Sequence, residues 1–138
     1  MKHFTIAELS RSSLAAARGI DNTPPSGVRI ALTALIEHVL DPVRAKWGRP
    51  ITVNSGYRSA EVNRAVKGAA TSQHLRGEAV DITAGSPTLN GELYALICSL
   101  AASGAIEFDQ LIDEKNFSWV HVSYRSNGGN RCQILKIG

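Results

Sequence analysis

The strongest constraint on the fold lies between residues 27 and 46, where Val28, Leu32, Leu35, Ile36, Val39, Leu40 and Val43 recur at helical spacing. That spacing lines apolar side chains along one face of a long helix, and the face demands a core to bury it. With 138 residues the chain can build that core as a single domain without disulfide or metal staples.

Upstream, Thr5 and Glu8 have capping-box spacing, and Ile6, Leu9 and Leu14 predict a first helix over 6–18 that Gly19 ends. The run from Asp21 to Ser26, with Pro24 and Pro25, is a turn that starts the long helix. Gly48 and Pro50 stop it, and 51–55 reads as a short strand running into Gly56. A short helix at 60–66, a loop and a strand at 78–83 follow. Pro87 and Thr88 then open a helix carried to Gly104 by Leu89, Leu93, Leu96, Ile97 and Leu100. Strands at 108–112 and 119–124 flank a polar turn over Asp113, Glu114, Lys115 and Asn116, and 132–137 makes a last strand. Helices first and strands mostly later predict an α+β fold with a small antiparallel sheet. No repeat, low-complexity tract or linker divides the chain.

Hydrophobic residues at 43% and charged residues at 20% exclude a disordered or fibrous chain. The net charge of +3 comes from scattered Lys and Arg, without the dense run that tracks a phosphate backbone, so nucleic acid is not expected as a partner. The N-terminus lacks a signal-peptide apolar region and no apolar run is long enough to span a bilayer. The chain reads as a soluble cytoplasmic product and as a monomer. Cys98 and Cys132 form no CxxC pair and read as buried thiols, with a disulfide as the alternative.

Chemistry concentrates in Ser72-Gln73-His74-Leu75-Arg76-Gly77-Glu78-Ala79-Val80-Asp81-Ile82. Gly77 permits a sharp backbone course between His74 and Asp81, and a carboxylate inside the apolar stretch 79–83 is costly unless paired or bound to a metal. In 118–124, alternation places Trp119, His121 and Ser123 on one strand face. Two histidines and a carboxylate make a catalytic zinc set with a fourth position left for water. On residue type alone, a hydrogen-bonded structural histidine and an Asp81 that caps a turn or pairs with an arginine stay open. His3 and His38 read as surface or structural residues, and Tyr57, Tyr124 and Trp119 as packing around a cleft.

Ser72, His74, Gly77, Ala79 and Asp81, followed later by Trp119 and His121, resemble the zinc D-Ala-D-Ala carboxypeptidase family, whose relatives include VanX-type dipeptidases and phage L-alanyl-D-glutamate endolysins. The resemblance runs from about Asn54 to Tyr124, and the opening residues are similar to the small phage-borne members. It implies the hedgehog/DD-peptidase fold, a small antiparallel sheet carrying zinc, with His74, Asp81 and His121 as ligands. It also implies that Arg58 anchors a substrate carboxylate or polarises the scissile carbonyl, a role suited to a two-pronged guanidinium. Ser72 would orient His74 or touch substrate, with a plain loop-capping serine as the alternative, and Gln110 would supply a supporting hydrogen bond.

The family commonly places its catalytic acid three residues before the last histidine, where this chain has Ser118. A neutral hydroxyl cannot act as base at pH 7. Asp113 and Glu114 are the nearest acids; Glu114 is the preferred base, and two solvated turn carboxylates are the bland alternative. The implied function is zinc-dependent hydrolysis of a peptide bond in bacterial peptidoglycan by a phage or prophage endolysin acting at the cell wall. An intracellular D-Ala-D-Ala dipeptidase and a wall-recognition module that has lost catalysis are the rivals.

Overall fold

The computed structural model describes residues 1–138. Six short α-helices and five strands follow one another as α1 (Ile6–Ser10), α2 (Ser13–Arg18), α3 (Ser26–Leu35), α4 (Asp41–Trp47), β1 (Thr52–Ser55), α5 (Ala60–Ala65), β2 (Ala79–Thr83), α6 (Pro87–Ala102), β3 (Gln110–Glu114), β4 (Trp119–Ser123) and β5 (Gln133–Ile137). The fold is α+β, with a five-stranded sheet in the order β1-β2-β4-β3-β5 flanked by helices.

The sequence-based first helix is two helices. Thr5 and Glu8 make the capping box of α1, but Arg11 is extended and Ser12 starts α2 by accepting from the Ala15 N–H. A serine that can satisfy a helix start competes with continuation of the helix before it. The freed end of α1 is then used: the Leu9 carbonyl accepts from the Tyr57 N–H at 2.6 Å.

The long helix is present, with one adjustment. A π turn over Ile36–Leu40 links α3 to α4, and the Asp41 N–H bonds to the Ile36 carbonyl. Pro42 has no N–H for the regular ladder, and the wider turn just before it shifts the register. Leu32, Leu35, Ile36, Val39, Leu40 and Val43 are all buried, as the spacing predicts. They meet Leu93 and Ile97 of α6 and the inward face of the sheet, Val80, Ile82, Leu111, Val120 and Val122, in one core.

Two expectations are corrected. Asp113 and Glu114 belong to β3 rather than to a turn, which instead spans 115–118 with Lys115, Asn116 and Phe117 all at positive φ. The Asp113 carboxylate accepts from the Phe117 N–H at 2.7 Å and so stabilises that unusual course. The sheet is also not wholly antiparallel, because β5 returns to pair parallel with β3. Cys98 is half-buried and Cys132 exposed; both are free thiols. No helix is long and apolar enough to cross a membrane.

Candidate metal centre

On the sheet face away from the core, antiparallel pairing sets Asp81 of β2 directly opposite His121 of β4, and Ile112 of β3 opposite His121 on the other side. His74 comes from the preceding segment, a single 3-10 turn over Gln73–Arg76. Ser72 caps that turn by accepting from the His74 N–H, and Gly77 ends it at φ +71. A Cβ at Gly77 would also press on Val28 and Leu32, so the turn sits tightly against α3.

The three side chains converge. His121 Nδ1 is 2.9 Å from Asp81 Oδ1, and His74 Nε2 is 3.4 Å from Asp81 Oδ2. The candidate donor atoms all lie within 4.8 Å of one another. Burial by itself would raise the Asp81 carboxyl, but the hydrogen bond from His121 and the adjoining His74 imidazole outweigh it and hold the group well below the usual carboxylate range.

The tautomer of His74 decides what the cluster can hold. Its Nδ1 is 2.7 Å from the Gly56 carbonyl, which only accepts, so Nδ1 carries the hydrogen. Nε2 is then left with a lone pair facing a carboxylate oxygen. Two acceptors facing each other call for a cation between them, either a second proton on the ring or a metal ion. A second oxygen acceptor on the remote ring nitrogen is also the usual support for a metal-binding histidine. The donors therefore fit zinc in number, type and backing.

Backbone approach positions the supporting carbonyl. Gly56 packs on the backbone of Leu9, where any Cβ would overlap the Leu9 carbonyl. Opposite Asp81, the register of β1 shifts between Val53 and Ser55, a bulge that turns the chain toward Gly56. Asn22 ties the pieces together by donating to the Ser10 and Tyr57 carbonyls and accepting from the Ser59 N–H. Sequence reasoning placed Asn22 only in a turn, and no local pattern marks its partners 35 and 37 residues away.

Around the cluster opens a cleft of about 620 Å³. Arg58, Ser72, Gln110, Glu114 and Trp119 line it together with the three donors. Arg58 has no carboxylate partner within ion-pairing distance, and its buried Nε lacks a hydrogen-bond partner. Burial lowers its pKa and the charge of Asp81 works against that shift. Gln110 is held by Ser123 and Gln133. Ser118 is not in the cleft; its hydroxyl donates to the Lys115 carbonyl. His38, outside the site, stacks on Tyr124 at 5.0 Å.

The two acids left open by the sequence part company here. Asp113 is buried and serves the 115–118 turn, whereas Glu114 lines the cleft opposite Trp119. Strand alternation forces that division.

A helix-flanked small sheet that presents two histidines and an ionised aspartate at the floor of an open cleft is a fold built around a candidate metal centre. Residues 2–123 match the model of the peptidase M15 family, and the chain belongs to that family. It is also 38% identical over 91 residues to the "Zinc D-Ala-D-Ala carboxypeptidase" of Streptomyces albus G, a match covering 61% of this chain and 32% of that relative. The chain thus matches about a third of the relative's length. Family and relative point to zinc as the cofactor, the donor set fits it, and the family is one of peptidases.

Proposed function

We propose that this chain is a zinc metallopeptidase that cuts a peptide bond in the stem or cross-link of bacterial peptidoglycan, acting at the wall as a monomeric phage or prophage endolysin. The observation that carries the reading is the convergence of His74, Asp81 and His121 in an open cleft of a peptidase M15 chain. The relative's name, a carboxypeptidase for D-Ala-D-Ala, supports a wall peptide as substrate.

His74, Asp81 and His121 would hold the zinc, which supplies Lewis-acid polarisation of the scissile carbonyl and a more acidic water. The remaining work falls to the protein. Gly56 keeps the hydrogen of His74 on Nδ1 and so keeps Nε2 aimed at the cluster. Arg58, uncommitted to any protein carboxylate, binds a substrate carboxylate or carbonyl beside the cluster. Glu114 takes the proton from the attacking water and returns it to the leaving amine. It stands two residues beyond Ile112 on the same face, about 7 Å along the strand from the row that holds Asp81 and His121. Trp119, paired opposite Glu114, also lines the cleft.

The test is mass spectrometry of purified peptidoglycan after incubation with zinc-loaded protein, with His74→Ala as control. New muropeptides that vanish in the control identify the bond by mass. An undigested wall, with zinc bound stoichiometrically to the wild-type protein, overturns the peptidoglycan reading.

A further inference from the structure

At the end of the cleft away from Glu114 lies a second buried acid that the chemistry above does not use. Asp109 has no exposed surface, yet it is surrounded by donors. Arg131 grips it with Nε and Nη2, each at 2.9 Å, and Arg125 Nε approaches at 3.3 Å. The Arg131 N–H and Gln73 Nε2 complete the set at 3.0 and 3.1 Å. The hydrogen bond from Arg131 is the main reason that the carboxyl is held down to about 2.

One carboxylate therefore fastens two guanidiniums and leaves one positive charge uncompensated. Both arginines line the cleft. Their contacts with Asp109 leave Nη1 of Arg131 and both terminal nitrogens of Arg125 free, and the two side chains are 42% and 35% exposed. Five cationic side chains line this cleft against two carboxylates, Asp81 and Glu114, and Asp81 is committed to the histidines. An arginine held rigid by a buried acid has already lost the side-chain freedom that binding would otherwise remove.

We infer that Arg125 and Arg131, clamped by Asp109, form a carboxylate subsite that selects peptides bearing a free carboxylate at a distance from the scissile bond. The inference rests on the peptidase reading and deepens it by naming a substrate requirement. Register sets the distance. Asp109 precedes Ile112, the residue paired with His121, by three positions, about 10 Å of strand and about three residues of extended peptide. Arg58 sits beside the cluster itself, so the two cationic points read different groups of the same ligand.

Synthetic wall stem peptides provide the test, with the D-glutamyl and C-terminal carboxylates free or, one at a time, converted to carboxamides. For zinc-loaded wild type, one of the two amidations should lower kcat/KM about tenfold or more, the effect of one charge-assisted contact. In Arg125→Gln/Arg131→Gln the ratio between free and amidated peptide should collapse toward one. Arg58→Gln should slow cleavage of both peptides and leave the ratio standing. Should the double variant fail to fold, Arg125→Gln alone keeps the Asp109–Arg131 fork and should still reduce the ratio. A wild-type ratio near one for both amidations, or a ratio untouched by the arginine substitutions, overturns the inference. If no peptide is cut, the enzymatic reading fails separately. Calorimetric titration of the same peptides then decides the subsite, and equal affinities for free and amidated forms overturn it.

Discussion

Two carboxylates serve the cleft, Asp81 in the cluster at its centre and Asp109 buried behind its far end, and their partners make them opposites. Asp81 lies between two imidazoles and Asp109 between two guanidiniums. Both acids are held ionised, but an imidazole can give up its proton and present a lone pair, whereas a guanidinium remains a cation at any working pH. The first arrangement suits a metal ion and the second, on the inference above, an anion. The same residue type thus sits in a proposed cation site at the cleft centre and a proposed anion site at its far end, and the neighbours decide which.

The contrast can be broken at its centre, at its support and at its far end. Glu114→Gln should have the largest effect, because it removes the proposed proton carrier and leaves both carboxylate clusters intact. Hydrolysis should fall by about 10²- to 10⁴-fold, with zinc still bound at one equivalent by metal analysis. Unchanged turnover would remove Glu114 from the chemistry. Zinc retention combined with lost hydrolysis would also argue against a chain that never catalysed.

Gly56→Ala acts first at the metal end. The added Cβ meets backbone rather than a flexible side chain, so the Gly56 carbonyl must shift away from His74 Nδ1. Zinc affinity, measured by competition with a chelator, should drop by about 10- to 100-fold. An unaltered affinity would show that His74 does not depend on that carbonyl for its orientation.

Asp109→Asn sharpens the anion end through pH. The folded value of about 2 lies below the unfolded carboxylate value of about 4. The stability contributed by the ionised group is therefore complete above about pH 4 and drains away as the pH falls toward 2. Urea unfolding of wild type and variant should show a stability gap that is flat above about pH 4 and narrows below it. A gap that stays constant down to pH 2 would assign acid sensitivity to other groups.

Much of this architecture was legible in the chain. The stripe from Leu32 to Val43, the capping box at Thr5 and Glu8, and the alternation around His121 are local patterns, and each appears as an element or a face. The failures were local too. Ser12 capped a second helix where periodicity predicted one, and the turn after β3 came two residues late because Asp113 could serve it from within the strand. The return of β5 parallel to β3 has no local signature at all.

The site divides in the same way. The candidate donors were in the sequence: two histidines and an aspartate, each embedded in a segment that directs its side chain. Their meeting was decided by strand register across 40 residues, by the bulge in β1, and by the Gly56 carbonyl behind His74. The partner of Asp109 lies 22 residues away in a loop whose sequence resembles any polar connection. Residue types and short periodicities are chemical facts of the chain and can be read directly. Opposition across a sheet, close backbone approach and the choice of imidazole or guanidinium as neighbour arise only when distant segments pack, since no single segment holds both partners.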